Sequence, residues 1–299
     1  MKRGAVIGLV AGAVAVAIAG AGVAWWALSR PATAEQAADA YLRALSQGDF
    51  GAVSGMLAHE PDDLDRIEAA FTGASGYVSD YTFDVGSDHS VRADAELDGR
   101  PVVVHFVLEE QDGGWRVGGD YLVPLEATTT IGDSVRVGGA LAPAATPVPL
   151  LPALYLVTAA PSALLVGETE AVVAGDPVTV AVEASVSPDA IGVAQEQLDA
   201  YAQACAAPAA TVPSSCGIRV PWAADLGALT SIAFRIDQLP VLALSADGRT
   251  FAATDGVLVA TATGTTRDGA PGSFTYRADD WALRGGVAFT GDEMVLTVG

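Results

Sequence analysis

The chain has three histidines, His59, His89 and His105, and they bound its acid–base chemistry. His105 lies inside the apolar run 102–108. A histidine beside a carboxylate can serve as a general base near neutral pH. Tyr81, Trp115 and Asp120 fall on neighbouring candidate strands, so Tyr81, His105, Trp115 and Asp120 form the candidate binding or catalytic set. The plainer alternative is a core or edge histidine held by a hydrogen bond, and the pattern leaves open which face His105 takes. His59 ends a predicted helix and His89 begins a predicted strand. No two histidines are paired in a way that would hold a metal, so no metal site is expected.

Other motifs reduce to turns and strand faces. Asp94-x-Glu96-x-Asp98-Gly99 begins like a calcium loop, but the twelfth position, which should carry Glu, is His105. The same residues alternate as the wet face of a strand ending in an Asp-Gly hairpin turn. The segments GAVSG (51–55) and GASG (73–76) do not match the G-x-S-x-G of a nucleophile elbow and read as turns. Lys2 is the single lysine. Everything after it is therefore without a lysine Schiff base, a Walker A loop or a Ser-x-x-Lys acyl-transfer site. No cofactor is implied.

Cys205 and Cys216 are the two cysteines, with no histidine near either. They read as a disulfide whose short loop contributes about 3 kcal/mol in the chain-entropy model. The stretch Pro221-Trp222-Ala223-Ala224-Asp225-Leu226, with Arg235 downstream, has two readings. It is either a recognition surface beside the bridge, or a Trp packed on the bridge and an Asp capping a turn.

The elements that must position these residues begin with an apolar run, 4–28, of about 25 residues without a charge. A helix of that length is roughly 37 Å long, enough to cross a hydrocarbon core of about 30 Å. Lys2 and Arg3 precede it and Trp25-Trp26 end it, which predicts a single-pass membrane anchor with a cytoplasmic N-terminus and an outer C-terminal part. Ala32-Thr33-Ala34 resembles a signal-peptide cleavage site, although the apolar run is longer than a usual h-region. The formal net charge is −21. Lys2, Arg3 and Arg30 precede Glu35, so the remaining 12 basic residues stand against all 36 acids, a net −24. Such a surface repels nucleic acid and anionic head groups. The Ala-, Gly- and Val-rich composition, with arginine in place of lysine, suggests a GC-rich bacterial genome of the actinobacterial kind.

Behind the anchor, Thr33 and Gln36 have capping-box spacing, and Ala37, Tyr41, Ala44 and Leu45 form a helical apolar stripe. Two short helices follow, about 50–58 and 62–72. Four strands are then predicted, at 77–85, 91–97, 101–108 and 115–123. The motif AxxYLxALxxGDFxxV (38–53) followed by a sheet ending in DGGWRV (112–117) resembles the NTF2-like superfamily. That resemblance implies a curved sheet wrapped around helices as a cone, and it implies no particular activity. The run IGDSVRVGG followed by LLPALYLVTA is similar to envelope modules of the PEGA type, with Ala153 where their glycine stands.

Ser187-Pro188-Asp189 starts a helix running to about 206, followed by strands at 232–236, 241–244, 250–253, 257–265, 273–283 and 286–298. Asp247-Gly248, Asp255-Gly256 and Asp268-Gly269 read as turns. A helix ending in a Cys pair resembles membrane-anchored proteins of actinobacteria, which implies no activity.

The predicted class is thus α+β, with residues 1–32 as tip and transmembrane helix and 33–126 as an NTF2-like domain. Residues 127–187 form a small β-sandwich, and 188–299 a helix with an antiparallel sheet and the disulfide. The expected function is a non-catalytic binding or scaffolding protein of the bacterial envelope, its partners the membrane and another envelope protein or wall component. The alternative is a small-molecule isomerase or hydrolase in the cone, using His105 and a carboxylate.

Overall fold

The computed structural model describes residues 33–299. The expected membrane-spanning helix at 4–28 lies outside them. Among the described residues, no helix is long and apolar enough to cross a membrane. The α+β expectation is corrected: the described residues are mostly β, with 51% strand and 18% helix. Strands longer than predicted contribute to this, among them those at Leu226–Gln238 and Arg100–Gln111.

The chain divides into two compact units, one made of 33–124 with 149–155 and 172–178, the other of 125–148, 156–171 and 179–299. In the first, α1 (Ala34–Gln47), α2 (Phe50–Ser54) and α3 (Leu64–Thr72) precede an antiparallel meander. Its strands are β1 (Ser79–Val85), β2 (Ser90–Leu97), β3 (Arg100–Gln111) and β4 (Gly114–Gly118), in the order β1-β2-β3-β4. Thr33 caps α1 by accepting the Gln36 N–H at 3.2 Å. Gly48 ends α1 at φ 65°, the left-handed conformation a side chain disfavours, and a Cβ there would meet the Tyr77 ring at 2.5 Å. Asp49 then caps α2 by accepting the Ala52 N–H at 2.9 Å.

Alternation decides the sheet's faces. Val91, Ala93, Ala95 and Leu97 of β2 are buried, as are Val104, Phe106 and Leu108 of β3. The interior is filled by rings. Tyr41 of α1 meets Phe106 edge-on at 4.8 Å, and Phe71 meets Tyr77 at 5.2 Å. Leu154 belongs to this unit and donates its N–H to Gly76 O at 2.9 Å. Tyr155, fully buried, donates to Leu151 O at 2.8 Å.

In chain order come β5 (Val123–Thr129), β6 (Ser134–Val137), β7 (Ala140–Pro143), β8 (Val148–Leu150), β9 (Ala153–Ala159), β10 (Leu165–Val166), β11 (Glu168–Val173), β12 (Val178–Val182) and β13 (Ser185–Val186). They form small sheets ordered β11-β9-β6-β7, β12-β5-β8 and β10-β13. Pieces of this segment, expected as a small sandwich at 127–187, fall in both units.

The second unit is dominated by α4 (Pro188–Cys205) and a sheet of β14 (Leu226–Gln238), β15 (Val241–Leu244), β16 (Thr250–Thr266), β17 (Pro271–Thr290) and β18 (Glu293–Val298). The order is β14-β16-β17-β18, with β15 also on β16. Ser187 caps α4 by accepting the Ala190 N–H at 3.4 Å, and Pro188 opens the helix. Asp255-Gly256 is not a turn. It is a bulge inside β16, where the register with β17 shifts on both sides of Gly256 and Asp255 takes φ 64°. Likewise β17 continues through Gly285-Gly286. The predicted strands 250–253 and 257–265 thus merge into β16, and 273–283 merges with the first part of 286–298 into β17, the rest of 286–298 forming β18.

Two glutamines of α4 bond to two edges of that sheet. Gln195 donates to Pro240 O at 3.0 Å and accepts the Leu242 N–H at 2.8 Å, beside β15. Gln197 donates to Met294 O at 2.8 Å and accepts the Leu296 N–H at 3.2 Å on β18. Each side-chain amide pairs like one peptide unit of a neighbouring strand. On β14, Ile232 exchanges two backbone bonds with Ala209, at 2.9 and 3.0 Å.

Candidate functional site

The four residues picked out as a set do not converge. Tyr81 on β1 is half-buried and donates its hydroxyl to Asp39 Oδ1 at 3.3 Å. Burial, then the Asp39 charge, raises its pKa. Trp115 on β4 packs against His89, ring centroids 4.6 Å apart. Asp120 is exposed at a bend after β4. His105 is exposed on β3 opposite Arg92, between the buried Val104 and Phe106, so it takes the face turned away from the helices. A general base in the ring-filled interior would need the opposite orientation. Asp94, Glu96 and Asp98 form the outer side of β2 and its hairpin, with Arg92 3.3 Å from Asp94. Among the described residues no cluster of three or more His, Cys, Asp or Glu is placed to hold a metal.

The structure builds a different site in the second unit, from the cysteines upward. Cys205, the last residue of α4, is bonded to Cys216. From Cys216 the chain runs to Asp225 as a strap fixed at both ends against β17. At the first end, Trp281 donates its indole N–H to Cys216 O at 2.9 Å. At the second, Tyr276 donates its hydroxyl to Asp225 Oδ2 at 2.7 Å. Desolvation and this bond push the Tyr276 phenol up to about 12. Arg267 adds a bond to Ala223 O at 2.9 Å.

Trp222 does not sit on the disulfide. It packs with Leu226, Ile232, Ala260 and Ala262 in a small apolar cluster. The ring beside the bridge is Trp281, about sixty residues further on, and nothing local in the sequence pairs it with Cys216.

Between its fixed ends the strap stands off β17. Two cavities of about 430 and 330 Å³ share Ile218, Arg219, Leu258 and Ala278 and form one groove. Consecutive β17 residues, Thr275 to Ala278 and Asp280 to Arg284, line it. Lining groups from both β16 and β17 place the groove over the face that these two paired strands share, beneath the strap. Leu258 and Ala260 of β16 make the apolar floor. Arg219, Arg277 and Arg284 bring three of the twelve arginines of residues 33–299 to this one groove, with Asp280 the opposing side-chain charge. Arg277 is held by Asp237 at 2.5 Å and Asp279 at 2.7 Å, whereas Arg219 and Arg284 form no ion pair among the described residues.

No protein family, curated protein or solved structure matches this chain.

Proposed function

We propose that this chain is a non-catalytic binding protein of the bacterial envelope, and that its binding face is the groove between the strap and β17. The observation that supports the reading is the groove itself: a slot with an apolar floor and arginine rims, held open by a disulfide-anchored strap fixed at both ends. Such combinations of apolar contact and a few oriented polar groups suit recognition. A bond fixing the strap keeps the ordering cost of binding low. The acidic remainder of residues 33–299 serves solubility and disfavours nucleic acid. The apolar run 4–28 would hold the chain at the membrane, with the binding units outside, where a disulfide persists. The partner class is another envelope protein.

The test is native mass spectrometry of the full chain released from its own envelope in mild detergent. A stoichiometric protein adduct is the expected result. A bare chain mass would overturn the reading.

A further inference from the structure

In residues 33–299, 36 acids stand against twelve arginines. Arg43, Arg66, Arg92, Arg136, Arg235 and Arg277 each pair with an aspartate. Arg116 and Arg267 donate to backbone carbonyls. The side chains of Arg219 and Arg284 have neither kind of partner among the described residues, although acids outnumber arginines threefold, and both line the same groove. The groove is also long. Its β17 lining runs over the ten residues from Thr275 to Arg284. At about 3.3 Å per residue that is about 30 Å, the span of an extended chain of about nine residues. A compact small molecule would leave most of that length empty. The stretch common to both cavities is apolar at Ile218, Leu258 and Ala278, and Asp280 sets one carboxylate on the Arg284 side.

We propose that the groove takes an extended acidic segment of the partner protein, lying along the strap over the face that β16 and β17 share. This deepens the binding-protein reading and rests on it. Recognition is by side chains. Carboxylates of the segment pair with Arg219 and Arg284, whose planar guanidinium groups suit bidentate contact. An apolar side chain between them meets Ile218, Leu258 and Ala278. Asp280 repels a carboxylate set beside it, so the segment is uncharged there. The charge of the whole chain is negative, but beyond about 8 Å it is screened at physiological salt, so the local arginines decide the sign inside the groove. The same negative surface keeps an acidic segment from binding elsewhere on the chain.

The experiment uses the full chain in detergent at physiological salt and fluorescent ten-residue probes. One carries a central Leu-Val pair between two pairs of Glu, and its twin carries Gln in place of Glu. Binding is read by anisotropy. The Glu probe is expected to bind, and the Gln probe to bind about tenfold or more weakly. Arg219→Gln and Arg284→Gln should each weaken the Glu probe about tenfold and leave the Gln probe unchanged. Both sites are exposed, so neither substitution opens the core. Asp280→Asn should tighten the Glu probe, a gain that a merely destabilised chain would not show. The inference is overturned by equal binding of the two probes, by no binding of the Glu probe, or by arginine variants that bind it like the parent chain. If the parent chain carries a native protein adduct but ignores the Glu probe, the acidic-segment inference alone is refuted. If no adduct forms on the parent chain, the binding-protein reading itself fails.

Discussion

Trp281 and Cys216 are joined by an indole N–H to carbonyl bond of 2.9 Å, with the indole 3% exposed. This one contact ties the disulfide, the strap and the longest strand together. Trp281→Phe keeps an aromatic ring there but orphans a buried carbonyl and leaves a void. The expected loss is about 2 kcal/mol, read as a lower urea midpoint with an unchanged slope.

The disulfide closes a loop of sequence separation 11. Replacing both cysteines with serine should cost about 3 kcal/mol, chiefly by freeing the unfolded chain. The loss should be accompanied by faster amide exchange across 216–225, because the strap then loses its covalent tie to α4 and keeps only its bonds to Trp281, Tyr276 and Arg267 and the packing of Trp222. A variant with parental exchange in the strap would show that the bridge does not hold it.

Tyr276 gives a pH signature. Its folded pKa, about 12, lies above the ordinary tyrosine value of 10.0 because the phenol is desolvated and donates to Asp225. The folded state then binds the proton more tightly than the unfolded state. Its contribution is fully present below pH 10 and is lost as pH rises towards 12. In an ultraviolet titration, Tyr276→Phe should remove one late-titrating phenol, and the fall in stability between pH 10 and 12 should become shallower.

Tyr41 is fully buried, and its hydroxyl is the one buried side-chain polar atom among the described residues without a hydrogen-bond partner. Burial, then the neighbouring Tyr121, raises its pKa. An unpaired buried hydroxyl costs stability. Tyr41→Phe keeps the ring against Phe106 and is expected to stabilise the chain by about 1 kcal/mol, measured by thermal or urea unfolding. A loss of 1 kcal/mol or more would mean that the hydroxyl has a partner.

What the sequence makes legible is local. Caps can be read from Thr33 and Ser187 because the capping side chain and its N–H lie three residues apart. The disulfide can be read because no other cysteine competes. Turn chemistry misleads at Asp255-Gly256, since the same dipeptide that closes a hairpin also makes a bulge, and only the partner strand decides. At Gly256 that partner is Trp281, whose carbonyl would lie 2.6 Å from an added Cβ. The face taken by His105 depends on which side of the sheet the helices pack, which period-two alternation alone leaves open. The groove was the least legible feature. Its ends join residues 65 and 51 positions apart.

The most direct test compares native masses of the parent chain and the Arg219→Glu, Arg284→Glu chain, each released from its own envelope in mild detergent. The groove account predicts a stoichiometric protein adduct on the parent and a bare mass for the variant. A bare parent chain, or the same adduct on both, would contradict it.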